Sequence, residues 1–344
     1  MEDPRHVTTR AFSGDGCLTG NPTAFSSAVE MSVQLKVAII SLVAAAVSFP
    51  LTFLVWPPEV PSGAGMPAQW LGYGLLAGEC LALGGGIAFL AFAFPHARPL
   101  ATSHRLAFAS YAGISFLLIN WWPQAHLHAI AARADSAQPL IKQTTYAFHD
   151  LIMLIGALLA LYFATVLANQ SPKPSNSSPD VRPGGRLSRL GLRWKYAITT
   201  VLIAVISLPA VSVFYAVAKI GQAGRAPGGW LLAGLIANTV ITRLALGLGI
   251  SFLIFAWPLV KNARQYRQLA LLSYLSIGWC LLAWLPYQQL DFFARDAVYP
   301  LLVLGYGFHL TLMVAAAVLA VFFYRVTHAS RSPASALVQL ASQQ

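Results

Sequence analysis

The sequence predicts an all-α integral membrane protein of eight transmembrane helices, arranged as two tandem parallel four-helix repeats. Three observations lead there: charge is scarce, the apolar residues fall in long runs, and the chain repeats itself. Only 10% of the 344 residues are charged and 57% are apolar, whereas a soluble domain carries about 25% charged residues. A helix needs roughly 20 apolar residues to cross the hydrocarbon core. Eight runs qualify, at 37–56, 68–94, 106–122, 145–168, 196–217, 229–257, 268–286 and 299–324.

Each run has its own punctuation. Run one contains Pro50, which removes a backbone hydrogen bond, and Pro57, Pro58 and Pro61 end it. Run two holds Gly74 and Gly78 at GxxxG spacing, then Gly84, Gly85 and Gly86, small residues that let helices approach closely in lipid. Run three closes on Trp121-Trp122-Pro123, and run four opens on Tyr146-Ala147-Phe148-His149. Residues 169–193 are rich in Ser, Pro, Gly and Arg, the composition of a linker. Runs five to eight then echo the first four. Pro209 answers Pro50, Leu244-Ala-Leu-Gly-Leu-Gly answers Leu81-Ala-Leu-Gly-Gly-Gly, and Pro258 answers Pro95. Ser273-Tyr274 with Trp284-Leu285-Pro286 answers Ser110-Tyr111 with Trp121-Trp122-Pro123, and Tyr306-Gly307-Phe308-His309 answers the opening of run four.

An even number of spans per copy gives both copies one orientation, so a pseudo-two-fold axis along the membrane normal is expected. The expected divisions are a polar tail at 1–35, repeats at 36–168 and 195–325, a linker at 169–194 and a second tail at 326–344. Residues 1–30 read as a polar tail without a cleavable signal, and a true start at Met31, with the first span as an uncleaved anchor, is an expectation of the sequence.

The net charge of +11 first suggests nucleic acid, but its distribution argues for lipid. Lys and Arg concentrate in the N-terminal tail, at 98 and 105, in 173–195, at 261–267 and after 324, which is every second connection. That alternation predicts cytoplasmic N- and C-termini in the plasma membrane, with the bilayer as partner. Cys17, Cys80 and Cys280 have neither metal nor redox spacing, so the latter two read as small core residues.

Two constellations carry candidate chemistry. Glu79 and Arg243 fall near the middle of runs two and six, where a charge costs about 2.5–3.5 kcal/mol on insertion scales and must face the protein interior. They are a candidate charge pair, with Asn238, Thr239 and Thr242 as candidate lining of a pathway. The second constellation is histidine on the outer side: His126 and His128 after run three, His149 and Asp150 at the start of run four, and Asp291 and His309 in the second copy. Imidazole and carboxylate are ligands for transition metals, and two histidines on facing helices suit a b-type haem. The competing reading places these histidines, and tryptophans such as Trp121 and Trp284, in the aromatic belt of the membrane interface. No catalytic residue set is identified. The sequence therefore predicts a carrier or channel for a small solute, proton or metal cation, with a haem- or metal-binding redox protein and a non-catalytic membrane subunit or scaffold as the alternatives.

Overall fold

A computed structural model describes residues 32–55, 65–132, 138–170, 191, 194–207, 229–263, 266–284, 287 and 298–329. Every regular element among them is a helix: α1 (Val33–Val55), α2 (Gly65–Ala97), α3 (Leu100–Ser103), α4 (Arg105–Ile119), α5 (Trp121–Ala132), α6 (Gln138–Gln170), α7 (Trp194–Ser207), α8 (Gly229–Asn262), α9 (Arg267–Leu282) and α10 (Val298–Ala329).

Five of these, α1, α2, α6, α8 and α10, are long and apolar enough to cross a membrane. Pro50, Pro95 and Pro258 lie inside helices without ending them, as neighbouring helices permit in lipid. The other three expected spans are shorter apolar helices, α4, α7 and α9. Their shortness has a local cause in two cases. At Asn120 the regular run is interrupted, yet Asn120 N–H donates to the Phe116 carbonyl and Gln124 N–H to that of Asn120, so the hydrogen bonding runs on into α5. Ala283 N–H to the Trp279 carbonyl and Tyr287 N–H to that of Ala283 extend α9 in the same way. The second part of the run expected at 196–217 lies outside the described residues. The molecule is thus an all-α, multi-pass membrane protein by the length and composition of its helices, with five that suffice alone to span.

Small residues set the packing. A Cβ on Gly84 would meet the Ser41 backbone at 2.6 Å, so α1 lies directly against α2. Thr52 Oγ1 lies 4.0 Å from Cys80 Sγ further along the same seam, which makes the two helices antiparallel. Gly247 meets the Thr200 backbone in the same manner, seating α7 on α8. Gly78 approaches Leu310, and Phe89 packs edge-on to Phe323 at 5.9 Å, so α2 and α10 run parallel. Phe163 meets Phe252 at 5.9 Å between α6 and α8. Two tyrosines tie neighbouring helices: Tyr111 Oη donates to the Leu90 carbonyl at 2.9 Å, and Tyr274 Oη to that of Leu253 at 2.6 Å.

α1 is the peripheral member. Only 11% of its apolar window is buried, against 44–50% for the other four long helices. Leu42, Val43, Val47 and Leu54 on it are exposed, as a lipid-facing surface requires. The helix directions bring the start of α1, α4, α7 and α9 and the end of α2, α6, α8 and α10 to one end of the bundle. Lys36, Arg98, Arg105, Lys261, Arg267 and Arg325 all lie there.

Candidate functional site

The intramembrane charges are interior. Glu79 on α2 is 4% exposed and Arg243 on α8 is 1% exposed. Their surroundings differ. Glu79 follows Gly78, which packs on Leu310 of α10, and the Tyr306 hydroxyl lies within its electrostatic reach. One of its carboxylate oxygens, Oε2, has no hydrogen-bond partner among the described residues. When the two Leu-Ala-Leu-Gly stretches are aligned, Glu79 corresponds to Thr242, and Arg243 to Cys80. One residue of offset turns a side chain by roughly 100° around a helix of 3.6 residues per turn. The expected direct pairing of Glu79 with Arg243 is not seen among the described residues: burial alone, and no neighbouring cation, acts on the Glu79 carboxyl.

A third charge joins them. Asp150, expected beside the outer histidines, is buried at 9% exposure and accepts a hydrogen bond from Asn238 Nδ2 at 2.8 Å. Asn238 and Thr242 are buried too, and Thr242 Oγ1 donates to the Asn238 carbonyl at 2.7 Å. Thr239, the remaining candidate lining residue, is only half-buried. Sequence reasoning missed Asp150 as an interior group. The available signal was its position inside the apolar stretch Ala147–Asn169.

The histidines divide. His126 stays within its own helix turn: its Nδ1 lies 2.8 Å from the Trp122 carbonyl, and its ring sits 4.2 Å from that of Trp122. Trp122 Nε1 in turn donates to Thr52 Oγ1 at 2.7 Å, linking α5 to α1. His149 and His309 reach across the bundle instead. The His149 ring lies 4.2 Å from Trp284, just beyond the end of α9, and the His309 ring 5.1 Å from Trp121 of α5. Trp284 meets Phe308 at 4.6 Å, and Trp121 meets Phe148 at 5.0 Å. Because Phe148 adjoins His149 and Phe308 adjoins His309, with rings 6.0 Å apart in each case, six rings form a closed circuit.

Trp284 is fully buried and Trp121 is 4% exposed, so these two pack within the protein and do not face lipid as belt residues do. The clue in the sequence was that they are the tryptophans matched between the two copies. The Trp284 indole N–H has no hydrogen-bond partner among the described residues.

No group of three or more His, Cys, Asp or Glu able to hold a metal occurs among the described residues. The expected set of His126, His149, Asp150 and His309 is dispersed: His126 binds its own turn, Asp150 turns to Asn238, and His149 and His309 pack on opposite tryptophans. The side chain of His128, and Asp291 as a whole, lie outside the described residues. No family model, characterised protein or solved structure matches the chain.

Proposed function

We propose that this membrane protein is a carrier or channel for a small solute, a proton or a metal cation. The observation that carries the reading is the burial of Glu79, Asp150 and Arg243 among apolar transmembrane helices. Each opposes insertion by a few kcal/mol, a cost that a purely structural bundle has no reason to bear three times. Glu79 is the group best suited to a moving proton or cation, with one carboxylate oxygen left without a hydrogen-bond partner among the described residues. Arg243, with Asn238 and Thr242 on the same helix, forms the polar counterpart in the second half.

The proposed frame is eight spans in the plasma membrane, with both termini cytoplasmic and the halves as parallel copies. The matched contacts of Tyr111 with Leu90 and Tyr274 with Leu253, each 21 residues apart, support the copies. The test is flux into proteoliposomes under an imposed potential, read by an internal pH dye and by uptake of a divalent cation. Wild-type flux above that of empty vesicles, lost in Glu79→Gln, is expected. Equal flux in all three samples, for protons and for cations alike, refutes proton and metal-cation transport.

The closed aromatic circuit favours a second reading, a haem- or metal-binding redox protein using His149 and His309. Flat rings and a buried indole donor are suitable walls for a planar cofactor. Protein purified from cells supplied with haem precursor would show a Soret band that disappears in the doubly substituted His149→Ala, His309→Ala protein. Colourless, metal-free protein with the helices intact removes this reading and leaves transport standing.

A further inference from the structure

Beside the interior site, at the basic end of the bundle, a groove of about 910 Å³ opens between α1 and α10 over the face of α2. Its volume is that of an ordinary ligand pocket, roughly 300–1,000 Å³. The walls are aliphatic and small: Val37 from α1, Leu81, Gly85 and Ala88 from α2, Ala317 and Val321 from α10. At its mouth stand Gln34, Tyr324, Arg325 and His328. Arg325 and His328 are exposed, while His96 packs edge-on to Tyr324 and lies 5.4 Å from the His328 ring, centroid to centroid.

We infer that this groove binds the acyl tail of an anionic phospholipid, whose headgroup phosphate is held by Arg325 and His328. Three features select that occupant. Shape comes first: α1 is attached along α2 and leaves its far side to lipid, so the groove is continuous with the bilayer. Charge comes second. The two acidic residues among the described ones, Glu79 and Asp150, are both buried in the interior, which leaves the mouth cationic without a described competing carboxylate. Anionic lipid is what a basic cluster at a helix end recognises. Asymmetry comes third. In register with Tyr306-Gly307-Phe308-His309 and Tyr146-Ala147-Phe148-His149, the positions of Tyr324, Arg325 and His328 are held on α6 by Ala164, Thr165 and Ala168. At these positions α6 therefore lacks the Arg and His that stand at the mouth of the groove on α10, and among the described residues that pair occurs in one half.

Gly85 supplies a clean test. A Cβ there would meet only the Ser41 hydroxyl, at 3.8 Å, so a larger side chain enters the groove rather than the helix seam. The full chain is placed in nanodiscs of mixed phosphatidylglycerol and phosphatidylcholine, and lipid retained after gentle release is identified by native mass spectrometry. One phosphatidylglycerol is expected, enriched over phosphatidylcholine by about fivefold, the factor that a single cationic side chain supplies at an anionic surface. Arg325→Gln with His328→Gln should abolish the preference but keep some retained lipid, and Gly85→Leu should remove both. Circular dichroism and size exclusion confirm that each variant is folded. Each of these results overturns the inference: equal retention of both lipids, retention unchanged in folded Gly85→Leu, or lipid bound only after residues 1–31 are removed. The last would mean that the chain's own tail fills the groove. Displacement by inorganic phosphate alone would also overturn it, since a simple anion site needs no tail.

Discussion

In the first half of the chain Phe89 packs on Phe323, and in the second Phe252 packs on Phe163, both at 5.9 Å. Trp121 carries His309, and Trp284 carries His149. Gly84 is pressed against Ser41, and Gly247 against Thr200. The apolar seams of the two halves are thus the same seams. Their polar residues are not. Under the proposed repeat register, Asp150 stands opposite Leu310, Asn238 opposite Leu75, Glu79 opposite Thr242, and Arg243 opposite Cys80. Shape complementarity holds a buried seam fixed, since a change on one side needs a matching change on the other. Interior polar groups are constrained by their own partners, as Asp150 is by Asn238, and not by the shape of the seam. Where the halves agree they report architecture, and where they disagree they point to function.

The largest effect should come from breaking the shared seam. Trp284→Ala and Trp121→Ala each empty a buried aromatic site, and a loss of about 3–5 kcal/mol is expected for either. Unfolding in mixed micelles measures it. If only one is costly, the aromatic circuit is not a symmetric device. Next come Gly84→Leu and Gly247→Leu, which push α1 off α2 and α7 off α8. Overpacking of this kind costs about 1–3 kcal/mol, and the melting temperature in detergent should fall in both. An unshifted Gly247→Leu protein would place α7 elsewhere.

The asymmetric polar groups give smaller shifts. Asn238→Leu removes the partner of Asp150 and should cost about 1–2 kcal/mol, the scale of an interhelical hydrogen bond in model membrane helices. Asp150→Leu in the same chain should recover part of that loss, and no recovery would mean that the Asp150–Asn238 contact is incidental. Glu79→Gln and Arg243→Gln should be additive in stability, because no direct pairing of the two is seen among the described residues and uncoupled sites add within about 0.3–0.5 kcal/mol. A double variant healthier than either single one would restore direct pairing. Tyr111→Phe and Tyr274→Phe are the mildest, about 0.6 kcal/mol each, and should match one another.

How much of this was legible from sequence depends on what each residue touches. Membrane helices were readable because lipid demands long apolar runs, and Gly84 with Gly247 was readable as packing because each recurs in the other copy. The interior position of Glu79 and Arg243 followed from the cost of exposing charge to lipid. Asp150 was misplaced because it lies next to His149 in sequence, and neighbours on a helix point in different directions: His149 turns to Trp284 while Asp150 turns to Asn238. Trp121 and Trp284 resemble interfacial anchors by composition alone. Their match between the copies sets them apart, and their reach across to the opposite half, a contact between residues far apart in the chain, shows why they are buried. The division of the expected third and seventh runs at Asn120 and Ala283 was also hidden, since both residues keep right-handed helical angles and an N–H bond four residues back, a local change that apolar composition does not mark.

The peripheral attachment of α1 has a consequence for biogenesis. Its contacts with α2 join residues close in the chain, Ser41 with Gly84 and Thr52 with Cys80. Local contacts form early, and chains fold from the N-terminus as they are made. The α1–α2 hairpin is therefore complete while most of the polypeptide is still on the ribosome. The contact of Trp121 with His309 cannot exist until nearly the whole chain has emerged. Assembly begins at a hairpin on the edge of the bundle and ends by closing a ring of aromatic side chains between its two halves.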